Sequence, residues 1–294
     1  MPRLPLPLLL LIVTGTLIGT TFPLGRLSGE AGIPPVVWAF LTSGGSALAL
    51  GVALLAARGR LPVDGEHARF YGVGGLISYA IPNLLVFSTI PHLGAGFTSI
   101  LFTLSPIFTL ILAGLLKARR TTPLGILGIA VGFVGALMIV LGKGQIDRPA
   151  EPLWLAVSFL IPASLSLGNI YRTMAWPAGA TGLQLAVGTN LAAAIVLMVA
   201  IVLTTGLSGV VTLAGAPGLA AAQVLASAVM FAFFFRLQAT GGPVYLSQIG
   251  YVAAAVGLGT GTLFLGESYG LATWLGAFVI AVGVIMTTLA QRPT

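Results

Sequence analysis

The feature that most limits this chain is how rarely charge interrupts it. Only 6% of its 294 residues are Asp, Glu, Lys or Arg, 57% are hydrophobic, and the mean hydropathy is +1.07. A soluble domain carries about a quarter of its residues as charge. A chain with so little charge cannot keep its surface in water, so most of that surface is expected to face lipid. Breaks rich in charge, Pro or Gly cut the sequence into apolar segments at 6–25, 34–57, 69–90, 95–116, 122–142, 152–174, 181–205, 212–236, 243–264 and 270–290. About 20 apolar residues suffice for a helix to cross a bilayer. A membrane barrel would show shorter, alternating segments, so all ten are read as helices. Residues 1–25 resemble a signal peptide only superficially, because no small-residue cleavage site follows, and they are read as the first span.

The formal charge of +7 does not point to nucleic acid, since no run of five basic residues occurs. Lys and Arg instead mark helix ends. With the N-terminus cytoplasmic, ten of the 13 basic residues fall inside and only Arg26, Lys143 and Arg148 outside, which predicts both termini in the cytoplasm. Arg172 and Arg236 are counted as inside ends of their spans. Trp38, Trp154, Trp176 and Trp274 fall near predicted helix ends and read as interfacial anchors. The absence of Cys excludes disulfides and thiolate metal sites.

A shift of 148 residues brings the chain into register with itself. Residues 123–142 face 271–290, with Gly128 on Gly276 and Gly135 on Gly283, and residues 94–99 (GAGFTS) face 242–247 (GPVYLS). At a shift of 149, residues 19–22 (GTTF) face 168–171 (GNIY). Three matches in order at nearly constant offset point to duplication. The fold class expected is therefore all-α integral membrane, with ten transmembrane helices as two five-helix repeats, 1–146 and 147–294. An odd number of spans per repeat inverts the second half. The loops agree: the basic stretch 117–120 (KARR) corresponds to 265–268 (LGES). Inverted repeats are a recurring construction of secondary transporters.

This layout resembles the ten-helix, EamA-type members of the drug/metabolite transporter superfamily. The resemblance is carried by residues 19–22, by Ser105 and Pro106, and by Gly266, Glu267, Leu275, Gly276 and Gly283. Arg119 stands where the family often has Glu. Within the superfamily the chain is most similar to aromatic amino-acid exporters of the YddG type. That likeness implies export of aromatic and other neutral amino acids across the bacterial inner membrane by alternating access.

Polar residues deep in apolar spans either line a cavity or hold helices together. The candidates for the substrate pathway are Tyr79, Asn83, Ser99, Thr103, Ser166, Asn169, Gln223, Ser227, Gln248 and Tyr251. The Ser and Thr hydroxyls commonly bond back to their own helix. Asn190 and Gln184 read as glue or helix-end polarity. Pro82, Pro106 and Pro162 each free a backbone carbonyl inside a span and are candidate hinges. No Asp or Glu is expected mid-span, and no Lys or Arg either. An uncharged pathway argues against proton-coupled export of cationic drugs and against phosphorylated substrates. It suits a small neutral or aromatic amino acid, carried by facilitated or weakly coupled transport; another small neutral metabolite is the alternative cargo. An intramembrane serine hydrolase, read from Ser43, Gly44, Gly45 and Ser46, would need a His base at the same depth, and His67 and His92 both map to loops. No metal and no organic cofactor is implied, no nucleic acid is expected as a partner, and the protein is expected to act in the lipid bilayer as a monomer.

Overall fold

A computed structural model describes residues 6–115, 122–141 and 151–290. The chain is an all-α, multi-pass membrane protein. Six of its helices are long and apolar enough to cross a membrane, and four shorter apolar helices accompany them among the described residues. The boundary expected at 146/147 lies outside these residues, as do Lys117, Arg119, Arg120, Lys143 and Arg148.

The first helix, α1 (Leu6–Glu30), is followed after a short turn by α2 (Pro35–Ala56). Next come α3 (Gly65–Gly75), a π-turn (Leu76–Ala80) and α4 (Ile81–Leu93), which together fill the third expected span. Asp64 caps α3, accepting from the N–H groups of Glu66 and His67. The His67 side chain and backbone bonded to it hold the Asp64 carboxyl below its ordinary range. Gly94 alone turns the chain from α4 into α5 (Ala95–Leu101), with φ 86°. A side chain there would be strained, and its Cβ would lie 3.1 Å from Glu267 Oε1. A 3-10 turn (Phe102–Leu104) leads into α6 (Ser105–Leu115).

After α7 (Pro123–Leu141) come α8 (Pro152–Ser158) and α9 (Leu160–Met174), broken at Phe159. α10 (Gly182–Thr204) opens on a capping box between Thr181 and Gln184. Gln184 Nε2 also reaches the Arg60 carbonyl at 2.8 Å, so its polarity serves the helix end as expected. Asn190 bonds back to Ala186. After α11 (Ser208–Val211) come α12 (Pro217–Phe264) and α13 (Leu271–Ala290).

The eighth and ninth expected spans are one helical run by hydrogen bonding, but they do not form a single rod. At 1.5 Å per residue a straight helix of 48 residues would reach about 72 Å, twice what a bilayer needs. The first part of α12 follows α2: Gln223 Nε2 donates to Thr42 Oγ1 at 2.9 Å, and Ser46 and Ser227 meet at 2.8 Å. The second part follows α1, with Val252 on Gly15 and Val256 on Gly19. Leu237, Leu246 and Ile249 converge with Leu10 and Leu11 in one core. The run therefore reverses between Leu237 and Leu246.

Glycine sets the closest helix contacts. A Cβ on Gly19 would lie 2.5 Å from Val256 Cβ, and one on Gly45 2.4 Å from Val224. A Cβ on Gly75 would lie 2.9 Å from Ala193 N. On α7 and α13 the contact is backbone to backbone: a Cβ on Gly135 would meet Gly276 O and Ile280 N, each at 2.7 Å. One on Gly283 would meet Gly132 N at 2.5 Å and Gly128 O at 2.7 Å. Small residues permit this proximity where lipid supplies no hydrophobic drive.

Trp38 differs from its expected place. It is fully buried at 0% exposure inside the main core, where sequence position near a helix end predicted an interfacial ring. Trp274 is exposed, and Trp154 stacks on His92 with ring centroids 4.0 Å apart.

Candidate functional site

Helix irregularity is concentrated around one cavity. Pro82 lies two residues past the end of the π-turn, and its missing N–H removes the i+4 donor of the Ser78 carbonyl. Pro106 lies two residues past the 3-10 turn and cannot donate to the Phe102 carbonyl, which accepts from Ser105 N–H instead. Pro162 follows the break at Phe159. Ser78, Pro82, Phe102 and Ser105 line a cavity with about 860 Å3 of space between its walls, its mouth included. The wall is mostly apolar, from Ile18, Val86, Phe87, Leu165, Met230, Phe231, Phe234, Leu246 and Ile249, with Thr21 and Thr42 among its few polar side chains.

Of the ten candidate pathway residues, three line this cavity: Tyr79, Asn83 and Asn169. Tyr79 presents its ring edge to Phe231, with centroids 4.9 Å apart. Asn83 Nδ2 makes a long bond, 3.4 Å, to Ser43 Oγ. The rest stand between helices or elsewhere. Ser99 donates to Gly96 O at 2.7 Å and reaches Ala254 O at 3.3 Å, while Thr103 bonds back to Ile100. Ser166 donates to Ser105 O and Pro162 O, joining α6 to α9. Gln223 and Ser227 join α12 to α2 through Thr42 and Ser46. Gln248 and Tyr251 are half-buried on α12 outside the cavity wall, though Ile249 and Gly250 belong to it.

The cavity is not uncharged. Arg172, placed by the sequence among the helix-end cations, is buried inside α9 at 2% exposure and lines the wall. Its Nη2 donates to Asn169 Oδ1 and its Nε to Gln238 Oε1 at 3.3 Å. Its Cζ stands 5.4 Å from the Tyr79 ring centroid and 5.0 Å from that of Phe234. The stripe of Pro162, Ser166 and Asn169 continues on to residue 172 at helical spacing, so extending it one step would have found this cation.

A second polar cluster lies away from the cavity, where α1, the Gly94 turn and the 265–270 loop meet. Glu267, 9% exposed, accepts from Ala95 N at 2.7 Å and Gly96 N at 2.9 Å. Arg26 Nη1 approaches it at 3.3 Å, and Tyr269 donates its hydroxyl to it. Burial and the adjacent carboxylate raise the Tyr269 phenol above its ordinary value and keep it a donor. The carboxylate therefore caps α5 from a distant loop, satisfying two backbone donors that its own helix cannot.

Among the described residues no nucleophile–base pair accompanies Ser43 and Ser46. Ser46 is bonded to Thr42 and Ser227, while His67 is held by Asp64 and His92 by Trp154.

Residues 5–141 match the EamA-like transporter family. Among 25 matching chains of solved structures, one described only as a crystal structure of protein covers 94% of this chain and 98% of its own length. It aligns with a TM-score of 0.61 at 19% identity, a likeness of fold. No curated protein matches.

Proposed function

We propose that this chain is an EamA-type member of the drug/metabolite transporter superfamily, a secondary transporter of small metabolites across a membrane, a reading supported by the match of residues 5–141 to the EamA-like transporter family. The cargo is an aromatic or other neutral amino acid, exported in the manner of YddG-type carriers. The observation that carries this reading is the cavity itself, where Tyr79, Phe87, Phe102, Phe231 and Phe234 surround a few polar groups. Rings of this kind stack on an aromatic side chain, and Asn83, Ser78 and Ser105 offer neutral hydrogen bonds.

The working frame is ten spanning helices in two inverted five-helix repeats, 1–146 and 147–294. The contacts support it through the same shift of 148 residues. Gly135 meets Gly276 where Gly283 meets Gly128, and these pairs exchange under the shift. Gly45 meets Val224 where Gly75 meets Ala193, the counterpart of residue 45. A Cβ on Gly250 would lie 2.5 Å from the carbonyl of Phe102, its own counterpart. Reciprocal contacts of this kind fit a two-fold axis lying across the helices, in the membrane plane. Two related halves rocking about that axis expose the cavity to one side and then the other. Pro82, Pro106 and Pro162 are the hinges, and the Arg26–Glu267 contact closes one end between turnovers. In this reading both termini lie in the cytoplasm of a bacterial inner membrane, which the excess of Arg at the opposite end supports.

Counterflow tests the cargo. Proteoliposomes preloaded with unlabelled phenylalanine should transiently accumulate labelled phenylalanine well above protein-free vesicles; equality with those vesicles overturns the reading. An imposed pH gradient should leave the signal unchanged, because among the described residues no carboxylate lines the cavity.

A further inference from the structure

We infer that this cavity recognises its substrate through a carboxylate held by Arg172, and that the substrate's ammonium group is dispensable, so aryl carboxylates without an amino group are also ligands. The inference rests on the reading of the cavity as the transport site. It starts from an imbalance of charge. Arg172 is 2% exposed within a spanning helix, and no carboxylate pairs with it among the described residues. Among the described residues the acidic side chains are engaged or placed elsewhere: Glu30 and Glu267 on Arg26, Asp64 on His67, Glu151 near His92, and Glu66 in the exposed first turn of α3. A lone buried guanidinium is costly in a membrane and persists where it faces a pathway or a counter-ion.

Its bonds leave room for that counter-ion. A guanidinium has five N–H donors in a fixed fork. Arg172 commits Nε to Gln238 and one Nη2 hydrogen to Asn169, and Nη1 donates to no described residue. The rings of Tyr79 and Phe234 flank the group and hold its plane, and Asn169 and Gln238 hold its rotation. A pre-oriented fork matches a carboxylate in bidentate fashion. The unpartnered hydroxyls of Ser78 and Ser105 line the same cavity and can support the ligand.

An ammonium has no equivalent partner. Among the described residues only neutral oxygens line the wall, so a cationic amine would meet Arg172 with no counter-charge to hold it. The carboxylate therefore selects the ligand, and the aromatic side chain fills the ring-lined remainder.

The test uses equilibrium dialysis of the detergent-purified full chain with labelled phenylalanine and labelled 3-phenylpropanoate, with phenethylamine as competitor, beside the counterflow assay. Both acids should bind, and phenethylamine should compete at least about tenfold more weakly, the scale of one charge-assisted contact. In Arg172→Gln the preference for acid over amine should collapse, while Arg172→Lys should keep part of it. A merely structural role for Arg172 would lower stability without altering that preference. If Arg172→Gln does not fold, the competition order in the unaltered protein decides. If 3-phenylpropanoate binds, phenethylamine does not and phenylalanine is not carried, the amino-acid cargo falls and the Arg172 assignment stands. If phenylalanine is carried but phenethylamine competes as well as the acids, the Arg172 assignment is overturned and the cargo stands. Failure of both acids to bind overturns the assignment as well.

Discussion

Glu267→Ala is expected to be the most damaging single substitution in this protein, lowering stability by about 3–5 kcal/mol. The carboxylate is buried and takes hydrogen bonds from two backbone N–H groups, a phenol and a guanidinium. Removing it leaves Ala95 N and Gly96 N without acceptors in a buried turn, and each charge-assisted bond to such a donor is worth about 1.5–3 kcal/mol. Total stability for a folded chain is only about 5–15 kcal/mol, so the variant should melt far below the parent in detergent. Glu267→Gln keeps the shape and one acceptor but turns an NH2 toward backbone donors, and should fall between. The control is Glu30→Ala, which removes the other partner of Arg26 at a side chain 53% exposed. Exposed pairs of that kind contribute about 0–1 kcal/mol. A Glu267→Ala variant melting with the parent would show that the loop does not cap α5.

The second large effect is expected at the α7–α13 crossing. Gly135→Ala and Gly283→Ala should each destabilise by about 1–3 kcal/mol, as overpacking of a close contact does. Alanine favours a helix over glycine by about 1 kcal/mol, so the expected sign runs against local propensity. The reason is that each new Cβ meets backbone atoms at 2.5–2.7 Å, and backbone can yield only if the helices part. Because the two contacts exchange under the 148-residue shift, the two variants should lose similar stability. The double variant should lose less than the sum, since helices already parted have room for the second methyl. Gly259→Ala is the counter-case: nothing lies within 4 Å of its Cβ, so it should be neutral or stabilising. Thermal unfolding followed by Trp fluorescence reads all four. Stabilisation by Gly135→Ala would contradict the packing described.

Much of this fold is legible in the sequence because the bilayer enforces simple rules. Apolar length fixed most spans to within a few residues: 34–57 became Pro35–Ala56 and 181–205 became Gly182–Thr204. The reversal within α12 was marked by Gly241, Gly242 and Pro243, although the hydrogen bonding runs through it. What the sequence could not separate was glue from pathway. Ser99, Ser166, Gln223 and Ser227 have the same composition signal as Tyr79, Asn83 and Asn169, and only the neighbouring helix decides which way a side chain is used. Trp38 shows the same limit, since proximity to a helix end does not tell whether another helix covers the ring. Arg172 was hidden by the rule that located the helix ends: counted as a topological charge, it was not asked what it faced. Glu267 was visible as part of a motif, but its task depends on α5, which is 171 residues away at Gly96.

The account's central claim is that the cavity bounded by Tyr79, Asn83, Asn169 and Arg172 holds the substrate. The chain contains no Cys, so Asn83→Cys places a single thiol on the cavity wall without any other change. The rate at which a small, water-soluble thiol reagent modifies this variant in membranes should fall as phenylalanine is added. The concentration giving half protection should match the one that half-saturates counterflow in the same variant. A modification rate unchanged by saturating phenylalanine, in a variant that still performs counterflow, would place the substrate elsewhere and contradict the account.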